Sequence, residues 1–171
     1  MAILKIARMG HPVLLQTAEA VADPAAPELQ RLIRDMIETM EDASGAGLAA
    51  PQVYVSQRLF VYRVPDGRGD PPRETAVLIN PVIEPVGDVI AVSWEGCLSI
   101  PGLRAAVPRH AAVRYSGLDH TGQPVRGEAT GFHALVLQHE NDHLNGILYP
   151  MRMSDLSLFG FTEELARQQL I

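Results

Sequence analysis

Residues 130–146 read TGFHALVLQHENDHLNG, and this stretch predicts the helix around which the other elements are arranged. Thr130 is suited to cap the start of a helix and Gly146 to end it, so we expect a helix over residues 130–145. Within it, residues 139–143 read HENDH. Two histidines four positions apart on a helix project from the same face, so both imidazoles can reach one metal ion.

The same motif places a carboxylate beside the first histidine. Glu140 lies where it can hold a water molecule at a metal bound by His139 and His143. The two histidines extend an apolar face of the helix instead of pointing into bulk water, because they share a side with Phe132, Leu135 and Val136. Chance can produce an HExxH pattern, and two buried histidines without a metal would also fit this face. The motif favours a metal site over both alternatives.

Two histidines do not complete a hydrolytic metal site, which needs a third protein ligand and leaves a fourth position for water. No helpful spacing is found among the remaining histidines, His11, His110, His120 and His133. The only cysteine, Cys97, is the better candidate, because it lies in WEGCLSIPG, residues 94–102, between a glycine and a Pro-Gly turn. The alternative interpretation of a lone cysteine is a small buried hydrophobic residue.

Outward from this helix, the chain predicts strands in the middle and helices near both ends. A helix that begins near Pro27 and stops at Gly45 is indicated by apolar residues at helical spacing: Leu29, Leu32, Ile33, Met36, Ile37 and Met40. Stretches rich in β-branched residues predict strands over residues 58–64, 76–83, 88–93, 104–107, 111–116 and 123–128. A third helix is predicted over residues 161–170, and PDGRGDPP, residues 65–72, is a polar loop. We therefore expect an α+β fold of short, mostly antiparallel strands around the central HExxH-bearing helix.

Length, composition and charge exclude several classes of protein. A chain of 171 residues has the size of one domain, and 47% hydrophobic with 20% charged residues excludes wholesale disorder, collagen and coiled coils. The net charge of −6 argues against a nucleic-acid partner. No apolar stretch is long enough to cross a bilayer, and no secretory signal is visible, so we expect a cytoplasmic protein without a membrane partner. One cysteine excludes an intramolecular disulfide and agrees with a reducing compartment.

Three segments together resemble a known family. GAGLAAPQ (residues 45–52), EGCLS (95–99) and QHENDHLNG (138–146), in this order, resemble the three signature motifs of the peptide deformylases. The first segment is weak evidence alone, since Gly45 can be explained as a helix end and no strand or lysine marks a phosphate-binding loop. The opening IARMGHPVL (6–14) also resembles the start of that family's fold, so the likeness covers nearly the whole chain, residues 1–171, and we expect no transit peptide before it.

The resemblance implies a metal-dependent hydrolase. Family members remove the formyl group from the N-terminal formyl-methionine of newly made polypeptides and release formate. It implies one divalent metal ion held by Cys97, His139 and His143, with Fe²⁺ as the ion in the cell and Zn²⁺, Ni²⁺ or Co²⁺ able to occupy the same site. Thiolate and imidazole ligands suit Fe²⁺ or Zn²⁺ and exclude Mg²⁺ or Ca²⁺.

The resemblance also implies roles for residues around the metal. Glu140 would act as general base and then general acid, while the Gln52 side-chain amide and the Leu98 backbone N–H would donate to the oxyanion. Close approach of the substrate backbone would depend on Gly45, Gly47 and Gly96. For the methionine pocket the candidates are Phe132, Leu135 and Val136, then Ala46 and Trp94. The alternative is that all five are ordinary core, and for Leu135 and Val136 the two interpretations have equal weight. Arg104 matches a family position near the peptide groove.

Partners follow from the same resemblance. The expected substrates are N-formylmethionyl peptides and nascent chains, which implies transient proximity to the ribosome. The tail after Tyr149 is short and mixed in charge, so it does not resemble the basic docking helix of some family members. Two other functions stay open at this point: a general HExxH metallopeptidase, and a deformylase-like metallohydrolase or binding protein acting on another small N-acyl group.

Overall fold

Two antiparallel sheets and three α-helices organise the chain in the computed structural model, which describes residues 2–68 and 73–171. In chain order the elements are α1 (Pro27–Asp42), β1 (Gly47–Ala49), β2 (Leu59–Val64), β3 (Arg73–Pro85), β4 (Ile90–Cys97), β5 (Ile100–His110), β6 (Ala112–Leu118), β7 (Pro124–Thr130), α2 (Gly131–Leu144), β8 (Phe159–Phe161) and α3 (Thr162–Arg167). Short 3₁₀ helices cover Pro12–Leu15, Ala50–Val53, Tyr149–Arg152 and Leu156–Leu158. One sheet has the order β1-β2-β3-β6-β7 and the other β4-β5-β8. All of these strand pairs are antiparallel, which confirms the expected α+β class.

Each of the six predicted strands is present, with ends that differ from the prediction. The stretch predicted over residues 104–107 is part of the longer β5, because β5 pairs with β4 from Ile100 to His110. The sequence analysis missed β1 and β8, which have three residues each and are too short to show an alternating pattern. Of the predicted loop over residues 65–72, residues 69–72 lie outside the described part of the chain.

All three α-helices end with the same backbone arrangement, in which one residue past the helix adopts a left-handed conformation and two N–H groups bond back to the last turn. The left-handed residues are Ser44 (φ 54°), Gly146 (φ 70°) and Gln169 (φ 58°). The predicted stop at Gly146 is thus confirmed. The predicted stop at Gly45 is off by one, because Ser44 takes the special conformation. The third helix ends at Arg167 instead of residue 170, since Gln169 reverses the chain without a glycine to signal it.

Helix α1 packs one apolar face onto the five-stranded sheet. Leu29, Ile33, Met36 and Met40 are buried and contact side chains of β1 and β2 in one core cluster. Their spacing of three and four residues places them on one stripe, as the pattern predicted. Pro27 at the first helical position suits this start, because its missing N–H would have no partner there.

Helix α2 is buried on more than one side. It contacts β1, β2, β3, β5, β6 and β7, and therefore lies between the two sheets. Nine of its fourteen residues are buried, among them five with polar or charged side chains: His133, His139, Glu140, Asp142 and His143. Buried polar groups need hydrogen-bond or ionic partners, so these five side chains are candidates for the functional site. None of the described helices has the length and apolar character required to span a membrane.

A cavity of about 390 Å³ separates the two sheets at one end of α2. Among the described strands, β1 pairs only with β2, and β4 only with β5, so each presents an unpaired edge. Residues of both edge strands line the cavity, as does α2. An extended peptide placed there would have backbone donors and acceptors on either side.

Candidate functional site

Three potential metal ligands converge at the inner end of this cavity. The ligand atoms of Cys97, His139 and His143 lie within 4.8 Å of one another, and Cys97 Sγ is 3.3 Å from His143 Nε2. Cys97 is the last residue of β4, and the histidines lie one turn apart on α2. Both histidines are buried and the cysteine is partly buried. The end of one strand and one face of one helix therefore form a single cluster.

A carboxylate fixes the orientation of the first histidine. Glu95 Oε2 lies 2.7 Å from His139 Nδ1, which leaves Nε2 as the nitrogen available to a metal. Burial alone would lower the pKa of His139, but hydrogen bonds with Cys97 and Glu95 raise it well above its ordinary value. Burial and the charges of His139 and Arg109 lower the pKa of His143 well below its ordinary value, so this imidazole is neutral at neutral pH, as a ligand must be.

Glu95 belongs to a buried network of alternating charges. Arg109 donates to both of its oxygens, with Nε to Oε1 at 2.6 Å and Nη2 to Oε2 at 3.0 Å. Arg109 also donates from Nη1 to Asp142 Oδ2, and Arg152 donates from Nη2 to Asp142 Oδ1 at 2.7 Å. Burial would raise the pKa of Glu95, but the hydrogen bonds with His139 and Arg109 outweigh it and lower the pKa to about 2. The network thus keeps a charged anchor beneath His139.

Glu140 has a buried carboxylate with one oxygen free. The side chain belongs to a residue that is 4% exposed, and Oε2 has no hydrogen-bond partner among the described residues. Burial raises the pKa of Glu140 to about 7, because the charged form is disfavoured away from water. Its carboxylate fits against β1 only because residue 47 is glycine, since a Cβ there would lie 2.6 Å from Glu140 Cδ and 2.8 Å from Cγ.

The buried side chain of Gln52 accepts one hydrogen bond and donates another. Its Oε1 accepts from the backbone N–H of Ala49 at 2.9 Å, and its Nε2 donates to Ser99 Oγ at 3.1 Å. Nε2 also lies 3.5 Å from Cys97 Sγ, so the amide is directed toward the cluster. Leu98 follows Cys97 in the turn between β4 and β5, and its side chain packs on the α1 core cluster.

The structure brings all of the sequence-predicted site residues except one histidine ligand to the cavity wall. That exception, His143, has its Nε2 atom 3.3 Å from Cys97 Sγ but does not line the cavity. The wall includes the catalytic candidates and the substrate-binding candidates, together with His139 and Cys97: Gln52, Leu98, Glu140, Gly45, Ala46, Gly47, Trp94, Gly96, Arg104, Phe132, Leu135 and Val136. Residues separated by up to 95 positions in sequence thus share one space.

Sequence reasoning missed the network behind the ligands. Glu95 and Asp142 lie inside the quoted motifs, and their burial is the signal that could have been sought, since buried carboxylates require charged partners. Arg109 lies 14 residues from Glu95 and 33 from Asp142, so nothing local in the sequence connects them. Arg68, which also lines the cavity, lies in the segment 65–72 that the sequence predicts only as a polar loop.

The donor set fits a divalent ion of borderline softness. One thiolate with two imidazoles matches the ligand preferences of Fe²⁺ or Zn²⁺, and the ligand count leaves room for a water molecule. Ser99 N–H at 3.4 Å and the Gln52 amide both point at Cys97 Sγ, and such donors stabilise a thiolate. The described residues thus offer one possible metal site, made of Cys97, His139 and His143.

Comparison with known proteins gives consistent matches over nearly the full length. The sequence matches the family described as Polypeptide deformylase over residues 3–158. Peptide deformylase 1 of Nitrosomonas europaea is 48% identical over 172 residues, covering 99% of this chain and 98% of that protein.

Solved structures give the same likeness in three dimensions. A class I type b peptide deformylase from Acinetobacter baumannii with Met-Ala-Ser bound has a TM-score of 0.84 and 35% identity, covering 89% of this chain and 99% of that one. A peptide deformylase from Synechococcus elongatus in complex with actinonin has a TM-score of 0.84 and 37% identity, covering 99% and 87%.

Proposed function

The chain belongs to the polypeptide deformylase family, and from this membership we propose that residues 1–171 form one catalytic domain whose own side chains carry out the reaction. It is a hydrolase that removes the formyl group from the N-terminal formyl-methionine of polypeptides. The proposal for its mechanism rests on one observation. A buried carboxylate with a free oxygen, that of Glu140, lies beside a possible metal site in a cavity of about 390 Å³ that two strand edges line.

Cys97, His139 and His143 would hold the metal ion. We assign Fe²⁺ as the ion in the cell, with Zn²⁺, Ni²⁺ and Co²⁺ as ions that the same donors accept. When bound, such an ion supplies Lewis-acid activation of water and of the formyl oxygen. Glu95 contributes by holding the ring of His139 through Nδ1, and the charge network keeps Glu95 ionised.

Glu140 would move the proton. Its free Oε2 accepts a proton from the attacking water as the new oxygen–carbon bond forms at the formyl carbon. The same oxygen then returns that proton to the methionine nitrogen as the carbon–nitrogen bond breaks, which yields formate and a free amino terminus. A pKa near 7 suits both steps, since a group that is half protonated at the working pH can accept and donate.

Gln52 and Leu98 would stabilise the negative charge that develops on the formyl oxygen. The Gln52 amide is fixed by Ala49 and Ser99, so its second Nε2 hydrogen, which is directed toward Cys97 Sγ, is oriented toward the metal site before substrate arrives. The turn after Cys97 presents the Leu98 backbone beside the same space. Each donor of this kind is typically worth about 10²–10³ in rate.

The methionine side chain would occupy the apolar part of the cavity beside α2. Phe132 and Leu135 are partly buried and Val136 is buried, and all three line the cavity before His139 on the helix. Ala46 and Trp94 complete this wall. Gly45, Gly47 and Gly96 would allow the substrate backbone to approach both edge strands, with Arg104 beside Gly96. An unbranched apolar side chain suits a slot of this composition.

Newly made chains would reach this enzyme in the cytoplasm, while they are still near the ribosome. The tail that follows the last 3₁₀ helices carries Glu163, Glu164 and Arg167 within α3, so it offers no uniform positive charge for RNA. Encounter with nascent chains would therefore depend on the cavity and not on α3.

Formate release from formyl-Met-Ala-Ser tests the proposal directly. Protein purified without oxygen is assayed with and without a chelator, with bound metal quantified on the same sample. We expect chelator-sensitive formate production. A folded, metal-loaded protein that releases no formate would remove the assignment of this activity to the cavity.

Replacement of Glu140 by alanine tests the role of its carboxylate. Loss of the general base is expected to lower kcat by about 10²–10⁴ while metal content stays the same. Glu128→Ala is the matched control, because Glu128 is exposed and pairs with Arg114 on β6, away from the cavity. Unchanged turnover in Glu140→Ala would show that another group moves the proton.

A further inference from the structure

Two arginines line the cavity without an ion-pair partner among the described residues. Arg68 and Arg104 both line it, and neither forms an ion pair within the described part of the chain. The two carboxylates that line the same space, those of Glu95 and Glu140, belong to residues that are 2% and 4% exposed and lie at its inner end. Among the described lining residues, the charged side chains that are not buried are therefore both positive, although the whole chain has a net charge of −6.

The Arg68 side chain packs on an aromatic ring of the cavity wall. Its guanidinium carbon lies 5.0 Å from the centroid of the Phe132 ring, a distance typical of a cation–π contact. Stacking uses the flat face of the guanidinium and leaves the N–H groups at its edge free to donate. Asp66, two residues earlier, does not line the cavity, so it does not cancel this charge within it.

Arg104 lies nearer to the reacting end. It pairs in register with Gly96, and its Cζ is 3.7 Å from the position that a Cβ on Gly96 would take. Gly96 directly precedes the ligand Cys97. Phe132, which Arg68 covers, also lines the slot proposed for the methionine side chain. Both arginines therefore belong to the cavity that would hold the methionine and the residues that follow it.

We propose that this arginine pair makes the enzyme select formyl-methionyl chains with an acidic side chain at the second or third residue. The inference rests on the proposed function, because it assumes that the peptide runs from the metal site past Arg68. An aspartate or glutamate there meets a guanidinium donor and forms charge-assisted hydrogen bonds. A lysine or arginine at the same position meets like charge. Among the described lining residues, the only carboxylates are the buried ones of Glu95 and Glu140, so no exposed carboxylate there attracts a basic residue.

The test compares peptides that differ only in charge at the third residue. Formyl-Met-Ala-Glu-Ala, formyl-Met-Ala-Gln-Ala and formyl-Met-Ala-Lys-Ala are made with amidated ends, so that no terminal carboxylate interferes. At low ionic strength we expect kcat/KM for the Glu peptide to exceed that for the Lys peptide by about fivefold to tenfold, with Gln between them. At 0.5 M NaCl the ratio should fall to about twofold or less, since exposed charges are screened.

Equal values for the three peptides would overturn the selectivity, while formate release from all of them would leave the proposed function standing. No formate from any peptide would instead count against the proposed function. The neutral Gln peptide separates the two failures. It releases formate if only the charge selectivity is wrong, and it releases none if the proposed function is wrong.

Variants assign the selectivity to the arginines. Arg68→Gln should reduce the Glu-to-Lys ratio to about twofold, and Arg68→Glu should reverse the preference toward Lys. Arg167→Gln is the control, because Arg167 is an exposed arginine that pairs with Glu164 on α3 and does not line the cavity. A Glu preference that persists in both Arg68→Gln and Arg104→Gln would show that this pair does not cause it.

Discussion

Gly47 has no Cβ, and the carboxylate of Glu140 occupies the space that a Cβ at this position would take. The glycine lies on β1 and the glutamate on α2, so the contact also sets how closely the helix approaches the strand edge. In the sequence, Gly47 and Glu140 belong to two different motifs. In the structure they are in contact, and the glycine leaves room for the glutamate carboxylate.

Gly47→Ala should therefore act on catalysis through Glu140. A Cβ at 2.6 Å from Glu140 Cδ forces the carboxylate to move, and we expect kcat/KM to fall by about 10²-fold or more, since proton transfer requires hydrogen-bond geometry. Metal content should not change, because the three atoms nearest to the added Cβ all belong to Glu140, which is not a proposed ligand. Formate release and metal analysis on the same sample measure both.

The matched control is Gly160→Ala on β8. An added Cβ there meets Leu165 at 3.4 Å, which is ordinary contact, and it does not line the cavity. This variant should keep activity close to the starting protein. If Gly47→Ala retained full activity, the carboxylate would have to work from another position than the one described.

Local sequence can reveal site residues of the same type that recur at a short spacing. His139 and His143 are four apart on one helix, so helical geometry alone joins them. Cys97 could be proposed as a ligand but not placed, since 42 residues separate it from His139. Arg109 and Arg68 carried no local signal, because their partners in the structure are set by how the sheets pack and not by neighbours in the chain.

At the level of the elements, helix ends show why boundaries are difficult to predict. Glycine favours the left-handed conformation that ends a helix, and at Gly146 the pattern was correctly interpreted. Ser44 and Gln169 adopt the same conformation because backbone hydrogen bonds and packing impose it. Strands β1 and β8 were missed for a related reason, since three residues carry too little pattern and their pairing depends on distant partners.

Gly146→Ala should be strongly destabilising, for two reasons that a control can separate. The residue has φ of 70°, and a Cβ would lie 2.7 Å from the backbone carbonyl of Leu15. We expect a loss of about 3 kcal/mol or more in the free energy of unfolding, measured by urea denaturation.

Gly87→Ala isolates the conformational part of this cost. Gly87 has a similar φ of 71°, but no atom lies within 4 Å of its added Cβ. We expect it to cost about 1 kcal/mol. Equal losses in the two variants would show that the close approach to Leu15 relaxes without cost.

On the scale of the whole molecule, the buried charges connect parts that the chain keeps apart. Glu95 is on β4, Arg109 on β5 and Asp142 on α2, so the network joins the three-stranded sheet to the central helix. Removing one member of such a network leaves an uncompensated charge in the interior, which is strongly destabilising. The same charges that orient His139 therefore also stabilise the packing of the sheet on the helix.

This coupling predicts an acid-sensitive fold. The pKa of Glu95 is lowered from 4.5 to about 2, so its contribution to stability is complete above pH 4.5 and is lost as the pH falls toward 2. In metal-free protein we expect a loss of roughly 2 kcal/mol between pH 5 and pH 3, out of roughly 3 kcal/mol for the whole window down to pH 2. Urea unfolding at pH 5, 4 and 3 measures it.

Glu95→Gln supplies the comparison. A glutamine does not titrate, so this variant should be less stable at pH 5 and should lose less stability between pH 5 and 3 than the parent. Parallel pH profiles for the two proteins would show that other carboxyl groups account for the acid sensitivity.

The cavity between the edges of β1 and β4 also has a consequence for timing. On the proposed function it would hold a single extended chain, because an amino terminus can lie between two strand edges only if its first residues are unpaired and unpacked. A protein whose amino terminus has already joined its own sheet or helix would not enter. The enzyme would therefore act early in the life of each client, before that end folds, and the rate at which a client folds would set the interval in which its formyl group can be removed.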